Sequence, residues 1–184
     1  MSDYHTAIEI FNKNPKDGMN LLLDGGFVEN STSAIVKFLL SKSELNKSAI
    51  GVYIGDINPY NVQVRNEFIN SMNFTDMELV PALRLFLQSC RMPNEAQQID
   101  RILEAFADHY WKTNPNLYTN PDTVYTLTFS IIILSENLHS ERNKHKMDVN
   151  AFIKNSCVVK DGNNPSPELL QSIFEDVKSN QIIL

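Results

Sequence analysis

The stretch "CRMPNEAQQIDR", Cys90–Arg101, joins two apolar, helix-like runs through a short loop that contains a proline. Upstream, "TDMELVPALRLFLQSC" sets Leu79, Val80, Leu83, Phe86 and Leu87 on one wide apolar face. Downstream, "NEAQQIDRILEAFADHYW" repeats Ile99, Ile102, Leu103, Phe106 and Tyr110 at helical spacing. The second run opens on a carboxylate, Glu95. Local rules give that acid a structural role: Asn94 caps the helix, Glu95 occupies its first turn at the positive end of the dipole, and Gln97 completes a capping-box-like pair.

Helical spacing continues on both sides of this stretch. Tyr4, Ala7, Ile8 and Phe11 share a face that stops before Pro15, and a second short helix ends at Gly25 and Gly26. "STSAIVKFLLSKSE" places Ile35, Phe38 and Leu39 behind hydroxyl residues able to cap. "NKSAIGVYIGD" is too short to separate helix from strand by periodicity, and its neighbours tilt it to helix. Asn58 and Pro59 predict a helix start before Val62, Phe68, Ile69 and Met72. Thr75 and Glu78 have capping-box spacing, and Pro81 then predicts a kink or a ragged first turn.

After the central stretch, "DTVYTLTFSIIILSENLHS" is the most apolar segment, a near-continuous core from Leu127 to Leu134. Its β-branched residues alone fit a buried strand. The start signal at Asp122 and the end at Leu138 make it helix length. "DVNAFIKNS" and "SPELLQSIFEDVKSN" complete the set, the latter with Ser166 as cap and Pro167 at the first position. The expected fold class is all-α, about ten short helices whose short loops favour packing in sequence order.

The chain has 184 residues, of which 42% are hydrophobic and 21% charged, the balance of one globular domain. A net charge of −6 argues against nucleic acid as a partner. The basic run "ERNKHK", Glu141–Lys146, reads as a solvated loop. No apolar stretch approaches the ~18 residues that cross a bilayer, and no signal pattern opens the chain. The two cysteines, Cys90 and Cys157, fit a reducing compartment, both buried or idle. The expectation is a cytoplasmic, monomeric domain without membrane insertion.

Conventional catalytic chemistry is missing. The 6 glycines form no phosphate loop, and His5, His109, His139 and His145 make no metal-spaced cluster with Cys or acids. Neither cysteine has a sequence neighbour that marks a nucleophile. No metal and no cofactor is expected, and nothing points to covalent chemistry. His139, at the polar end of an apolar helix, reads first as a structural hydrogen-bonder.

Phe86–Pro115 followed by Asp122–Ser140 resembles the two signature motifs of the Sec-seven domain, the exchange-catalysing module of guanine-nucleotide exchange factors for Arf GTPases. The core Arg-x-Pro-x-Glu-Ala-Gln-x-Ile-Asp-Arg stands intact from Arg91 to Arg101. The resemblance covers essentially the whole chain. It implies one domain over 1–184, a right-handed array of ten helices, with an N-terminal half of about 1–74 and a C-terminal half of about 75–184 carrying both motifs and an apolar groove.

By the same resemblance Glu95 is a "glutamic finger" that reaches the nucleotide site of the GTPase. Asp122, Phe129, Ile131, Ile132 and Ile133 align with groove-lining positions that take Arf's switch segments. Arg91, Gln97 and Asp100 match polar residues that brace the finger loop or touch the switches. Met92, Ser130, Asn137, His139 and Ser140 complete the expected GTPase-binding surface. GDP, GTP and Mg²⁺ belong to the partner. The drug brefeldin A is implied as a further ligand at the Arf interface, through Phe129, Ser130, Asn137 and Met147, a mixture of sensitive and resistant types. Peripheral recruitment to Golgi, endosomal or plasma membranes follows from the family.

Four departures stand out. Asn94 replaces the family's usual Gly, Met92 replaces Leu, Ser140 stands where an Asn normally contacts the GTPase, and Glu136 adds charge at the rim. They imply a divergent exchange factor with altered affinity or Arf preference. The alternative is a non-catalytic Arf-binding scaffold that kept the fold and lost turnover.

Overall fold

A computed structural model describes residues 3–157 and 164–184 of the chain. Among them are ten α-helices and no strand: α1 Tyr4–Lys13, α2 Pro15–Asp24, α3 Thr32–Ser41, α4 Lys47–Gly55, α5 Pro59–Asn70, α6 Leu79–Ser89, α7 Ala96–Thr113, α8 Pro121–His139, α9 Val149–Ser156 and α10 Pro167–Ser179. The all-α class expected from periodicity is the class observed, and the "FSIIIL" segment is helical.

Side-chain caps decide most of the starts. Asp3, Asn14, Ser31, Asn46, Asn58, Asn120, Asp148 and Ser166 each accept a backbone N–H from the first turn of their helix. Four of these caps are followed by a proline, Pro15, Pro59, Pro121 and Pro167, whose missing N–H would have had no partner there anyway. At the end of α2, Gly26 takes φ +71°, as its place in the sequence predicted.

The Thr75–Glu78 pair departs from expectation. It does not open α6, which begins at Leu79, and Ala82 N–H bonds instead to the Glu78 carbonyl. Pro81 is the physical reason: it supplies no N–H and must lie in a first turn, so the helix starts two residues before it. Residues 74–77 form a turn in which Asp76 adopts φ 60°, a conformation Asp tolerates better than most. Asn114 pins it, donating to the Phe74 carbonyl at 2.8 Å and accepting from Asp76 N–H at 3.0 Å. Tyr110 Oη adds a bond to the Met77 carbonyl at 2.8 Å.

The chain forms two compact units. One holds the residues up to Asn73 with Leu85–Ala105 and Leu184; the other holds Phe74–Arg84 and Phe106–Ile183. Most of the first motif groups with the N-terminal helices. In the first unit Phe11, Leu22, Ile35, Leu39, Ile50, Ile54 and Phe68 are buried. In the second, α8, α9 and α10 bury Leu127, Leu134, Phe152, Leu170 and Phe174, and an aromatic cluster of Phe74, Phe106, Tyr110 and Tyr118 fills the rest. No helix among the described residues is long and apolar enough to cross a membrane.

Candidate functional site

The loop before α7 is stitched to α4. Arg91 N–H donates to the Lys47 carbonyl at 3.0 Å, and Arg91 Nη1 donates to the Leu87 carbonyl at 2.9 Å. Cys90 and Pro93 are buried beneath, and burial pushes the Cys90 thiol up to about 12, so it stays protonated and inert. On the far side of the loop, Arg101 Nη1 donates to the Gly55 carbonyl at 3.0 Å. Two cations therefore satisfy the C-terminal carbonyls of α4, because Arg65 Nη1 reaches Ile54 and Asp56 at 2.8 and 3.1 Å.

Glu95 ends this loop. It is exposed, and its backbone carbonyl accepts from Gln98 and Ile99 N–H, so Glu95 is itself the capping position of α7. The expectation of Asn94 as cap is corrected by one residue. Where the caps described above are Asp, Asn or Ser folding back on the first turn, this one is a longer acid whose side chain does not. Among the described residues the Glu95 carboxylate accepts no hydrogen bond and meets no cation. Asn94 and Gln97 beside it are exposed, as is Asp100, while Arg91 and Met92 are half-buried. The first motif thus brings a bare carboxylate to the surface of its unit on a firmly held base.

The second motif occupies α8. Phe129 and Ile133 lie one turn apart and are 44% and 42% exposed, and Tyr125, a turn earlier, stacks on Phe129 with ring centroids 6.4 Å apart. The near-continuous core expected from Leu127 to Leu134 is therefore interrupted on one face. Ile131 is fully buried and Ile132 is 8% exposed, so these two belong to the core rather than to an open groove. The helical period puts 131 and 135 on the side opposite 129 and 133, whereas 132, three residues from 129, lies between the two sides and is covered by packing.

An open apolar furrow of about 670 Å³ runs beside that face, where Phe129, Ser130 and Ile133 meet Met147, Phe152 and Cys157. Cys157 is half-exposed at its wall, unlike Cys90. Nothing in the sequence around Phe152 or Cys157 announces this role; Tyr125 was detectable, four residues before Phe129. A polar rim continues the furrow through Ile133, Glu136, Asn137 and Ser140. Asn137 Oδ1 accepts from Met147 N–H at 2.7 Å, and Lys146 Nζ donates to the carbonyls of Asn137 and Ser140.

Two expected members lie apart from this face. Asp122 is exposed in the first turn of α8, about two turns before Phe129. His139 bonds the Val177 carbonyl at 2.7 Å through Nε2, the structural role its position suggests. Ser135, by contrast, is buried and accepts from Ile182 N–H at 2.9 Å, tying the chain's C-terminal segment to α8. Among the described residues no three His, Cys, Asp or Glu side chains gather as a metal site would require.

Comparison with known proteins follows the same lines. The Sec7 domain pattern matches residues 2–182. The chain is 41% identical over 179 residues to the ADP-ribosylation factor guanine nucleotide-exchange factor sec71 of Schizosaccharomyces pombe, covering 97% of this chain and 10% of that protein. It thus spans about a tenth of the length of such curated relatives. The crystal structure of the Sec7p catalytic domain superposes with a TM-score of 0.88 at 34% identity, covering 99% of this chain and 97% of that one. A Sec7 domain solved with ARF1-GDP and brefeldin A gives a TM-score of 0.88 at 30% identity, covering 98% and 92%. Pattern, identity and fold agree over nearly the whole length, and the chain belongs to the Sec7 domain family.

Proposed function

We propose that this chain is a guanine-nucleotide exchange module for an Arf-family GTPase, with Glu95 as the residue that promotes GDP release. The observation that carries the reading is the exposed, unpaired carboxylate of Glu95, displayed by a loop that is itself tightly bonded. The relatives' names support the activity, and the solved complex of a Sec7 domain with ARF1-GDP supports the partner.

The physics is that of differential binding. Small GTPases hold GDP near the picomolar end of the affinity scale, about −16 kcal/mol, so unaided release is slow. An exchange factor makes no covalent bond; it stabilises the state from which nucleotide has left. A carboxylate brought to ~4 Å from a β-phosphate adds repulsion on the order of 4 kcal/mol at an effective dielectric of ~20. It also competes for Mg²⁺, which binds phosphate oxygens and carboxylates alike. At 1.36 kcal/mol per decade, such a contribution supplies ~10³ in release rate. The Phe129–Ile133 face supplies the compensating affinity by burying apolar surface of the GTPase.

The rival reading is a binding module that no longer turns over. An intact, solvent-facing Glu95 favours exchange. The test is release of a fluorescent GDP from purified Arf, with the wild-type chain and with Glu95→Ala. The wild type accelerates release; the variant loses about 10²-fold or more of the acceleration while still binding Arf–GDP. Equal rates from the two proteins would remove Glu95 from the mechanism.

A further inference from the structure

We infer that the face of α4 carrying Gly51 and Gly55 sets the position from which Glu95 acts, which makes Gly51 a positioning residue for nucleotide release. The inference rests on the reading of Glu95 given above. Glycine weakens a helix interior, yet the nine-residue α4 carries Gly51 at its middle, with Gly55 one turn on as its last residue. Each meets the segment around Glu95. A methyl group on Gly51 would lie 1.9 Å from the Arg91 carbonyl oxygen and 3.1 Å from its carbonyl carbon, with Pro93 Cδ at 3.6 Å. On Gly55 it would meet Gln98 Cβ at 3.0 Å and Ile102 Cδ1 at 3.3 Å.

These contacts bracket Glu95 in sequence. Arg91 lies four residues before it, Gln98 three after, and Arg101 six after. The Arg91 peptide cannot swing aside cheaply, because its N–H is bonded to Lys47 at 3.0 Å and Pro93 is buried just beyond. Arg101 closes the other side through the Gly55 carbonyl at 3.0 Å. α4 therefore holds the backbone on both sides of Glu95, while the carboxylate itself stays clear. Only a residue without a side chain permits so close an approach of two backbones. A displacement of the loop by about an ångström moves the carboxylate by at least as much, and displacements of that size cost a reaction up to ~10²-fold.

The test is a double-mutant cycle with Gly51→Ala and Glu95→Ala, each protein checked by far-UV circular dichroism, by Arf–GDP affinity and by GDP release at saturating exchange factor. Gly51→Ala is expected to lower the saturating release rate about 10- to 100-fold with affinity changed less than ~3-fold. In the Glu95→Ala background the same substitution is expected to cost nothing further, because its effect passes through the missing carboxylate. Normal release by folded Gly51→Ala beside an inactive Glu95→Ala would overturn the positioning role and leave the finger standing. An equal additional loss in the Glu95→Ala background overturns it too. Normal release by Glu95→Ala removes the finger reading instead. Should Gly51→Ala fail to fold, Gly55→Ala enters the same cycle: its new methyl meets side chains rather than backbone, and about a 3- to 10-fold loss, again absent without Glu95, is expected.

Discussion

Asn137 anchors Met147: the backbone N–H of Met147 donates to Asn137 Oδ1 over 2.7 Å, across ten residues of sequence. By the resemblance given above, both positions, with Phe129 and Ser130, are expected to set sensitivity to brefeldin A. The fold brings Phe129, Ser130 and Met147 to one furrow and holds Asn137 on its rim. Asp in place of Asn137 keeps an acceptor for the Met147 amide, so the loop survives the change. We expect partial inhibition of the wild-type chain by brefeldin A. The pair Phe129→Tyr with Asn137→Asp should lower the half-inhibitory concentration about tenfold, roughly 1.4 kcal/mol of added complex stability. Dose–response curves of GDP release check this, and full resistance of both proteins would show that the mapping does not transfer.

Phe129 and Ile132 separate binding from folding. Phe129 is 44% exposed, so Phe129→Ala should leave the unfolding free energy within about 0.5 kcal/mol and weaken Arf–GDP binding at least ~10-fold. Ile132 is 8% exposed, and Ile132→Asp strands a carboxylate in the core at a cost of about 3–5 kcal/mol. Urea denaturation beside a binding titration distinguishes them. Retained binding by the Phe129 variant would move the GTPase surface elsewhere.

Charge reversal at Glu95 is the sharpest trial of the electrostatic account. On the proposed mechanism, Glu95→Lys presents a cation in place of the carboxylate that would repel phosphate, so the variant should bind Arf–GDP and hold the nucleotide in place. The expected product is a stalled ternary complex that co-elutes with GDP on gel filtration. Were Glu95 only a helix-terminal charge, the substitution would cost ~0.3–1 kcal/mol of stability and leave exchange intact.

Alkaline pH should unfold the protein early. Burial raises the Cys90 thiol and the phenols of Tyr53 and Tyr118 each to about 12, and it raises Tyr110 as well. The folded state then binds more protons than the unfolded chain above pH ~9, so stability is complete below that value and falls as pH rises towards 12. Urea midpoints measured from pH 8 to 11 should decline with an increasing slope, and Cys90→Ala should reduce that slope. The same burial predicts that a thiol reagent labels Cys157 promptly and Cys90 only on unfolding.

Asn114 tests the turn before α6. Its side chain bonds both Phe74 and Asp76, and the residue is 6% exposed. Asn114→Ala should destabilise by about 1–3 kcal/mol, because the part-buried Asp76 N–H loses its partner and the buried Phe74 carbonyl keeps only its bond from Met77 N–H. Asp76→Gly should be tolerated, since glycine accepts φ 60° freely. A melt of each variant decides.

Read without any structure, the chain declared its class and most of its helix ends. Caps and prolines are local devices: Asn58 with Pro59 or Ser166 with Pro167 needs only the next turn to act, so such signals are legible in the string of residues. Periodicity likewise exposed the buried stripes of α1, α3 and α7. The motif from Arg91 to Arg101 pointed to the family and to Glu95.

What tertiary structure alone decided lies where distant segments meet. The turn before α6 is held by Asn114, some forty residues away. Which apolar residues of α8 stay open depends on what packs against each side of the helix, and the string "FSIIIL" cannot divide Phe129 and Ile133 from Ile131 and Ile132 without it. Phe152 and Cys157 join the furrow by contact, not by spacing. Gly51 is the clearest case: within α4 it is only a weak helix former, and its purpose appears when the Arg91 carbonyl arrives from forty residues on. Local backbone rules act within a turn or two and are written in the sequence, whereas close packing of separate segments exists only in the folded chain.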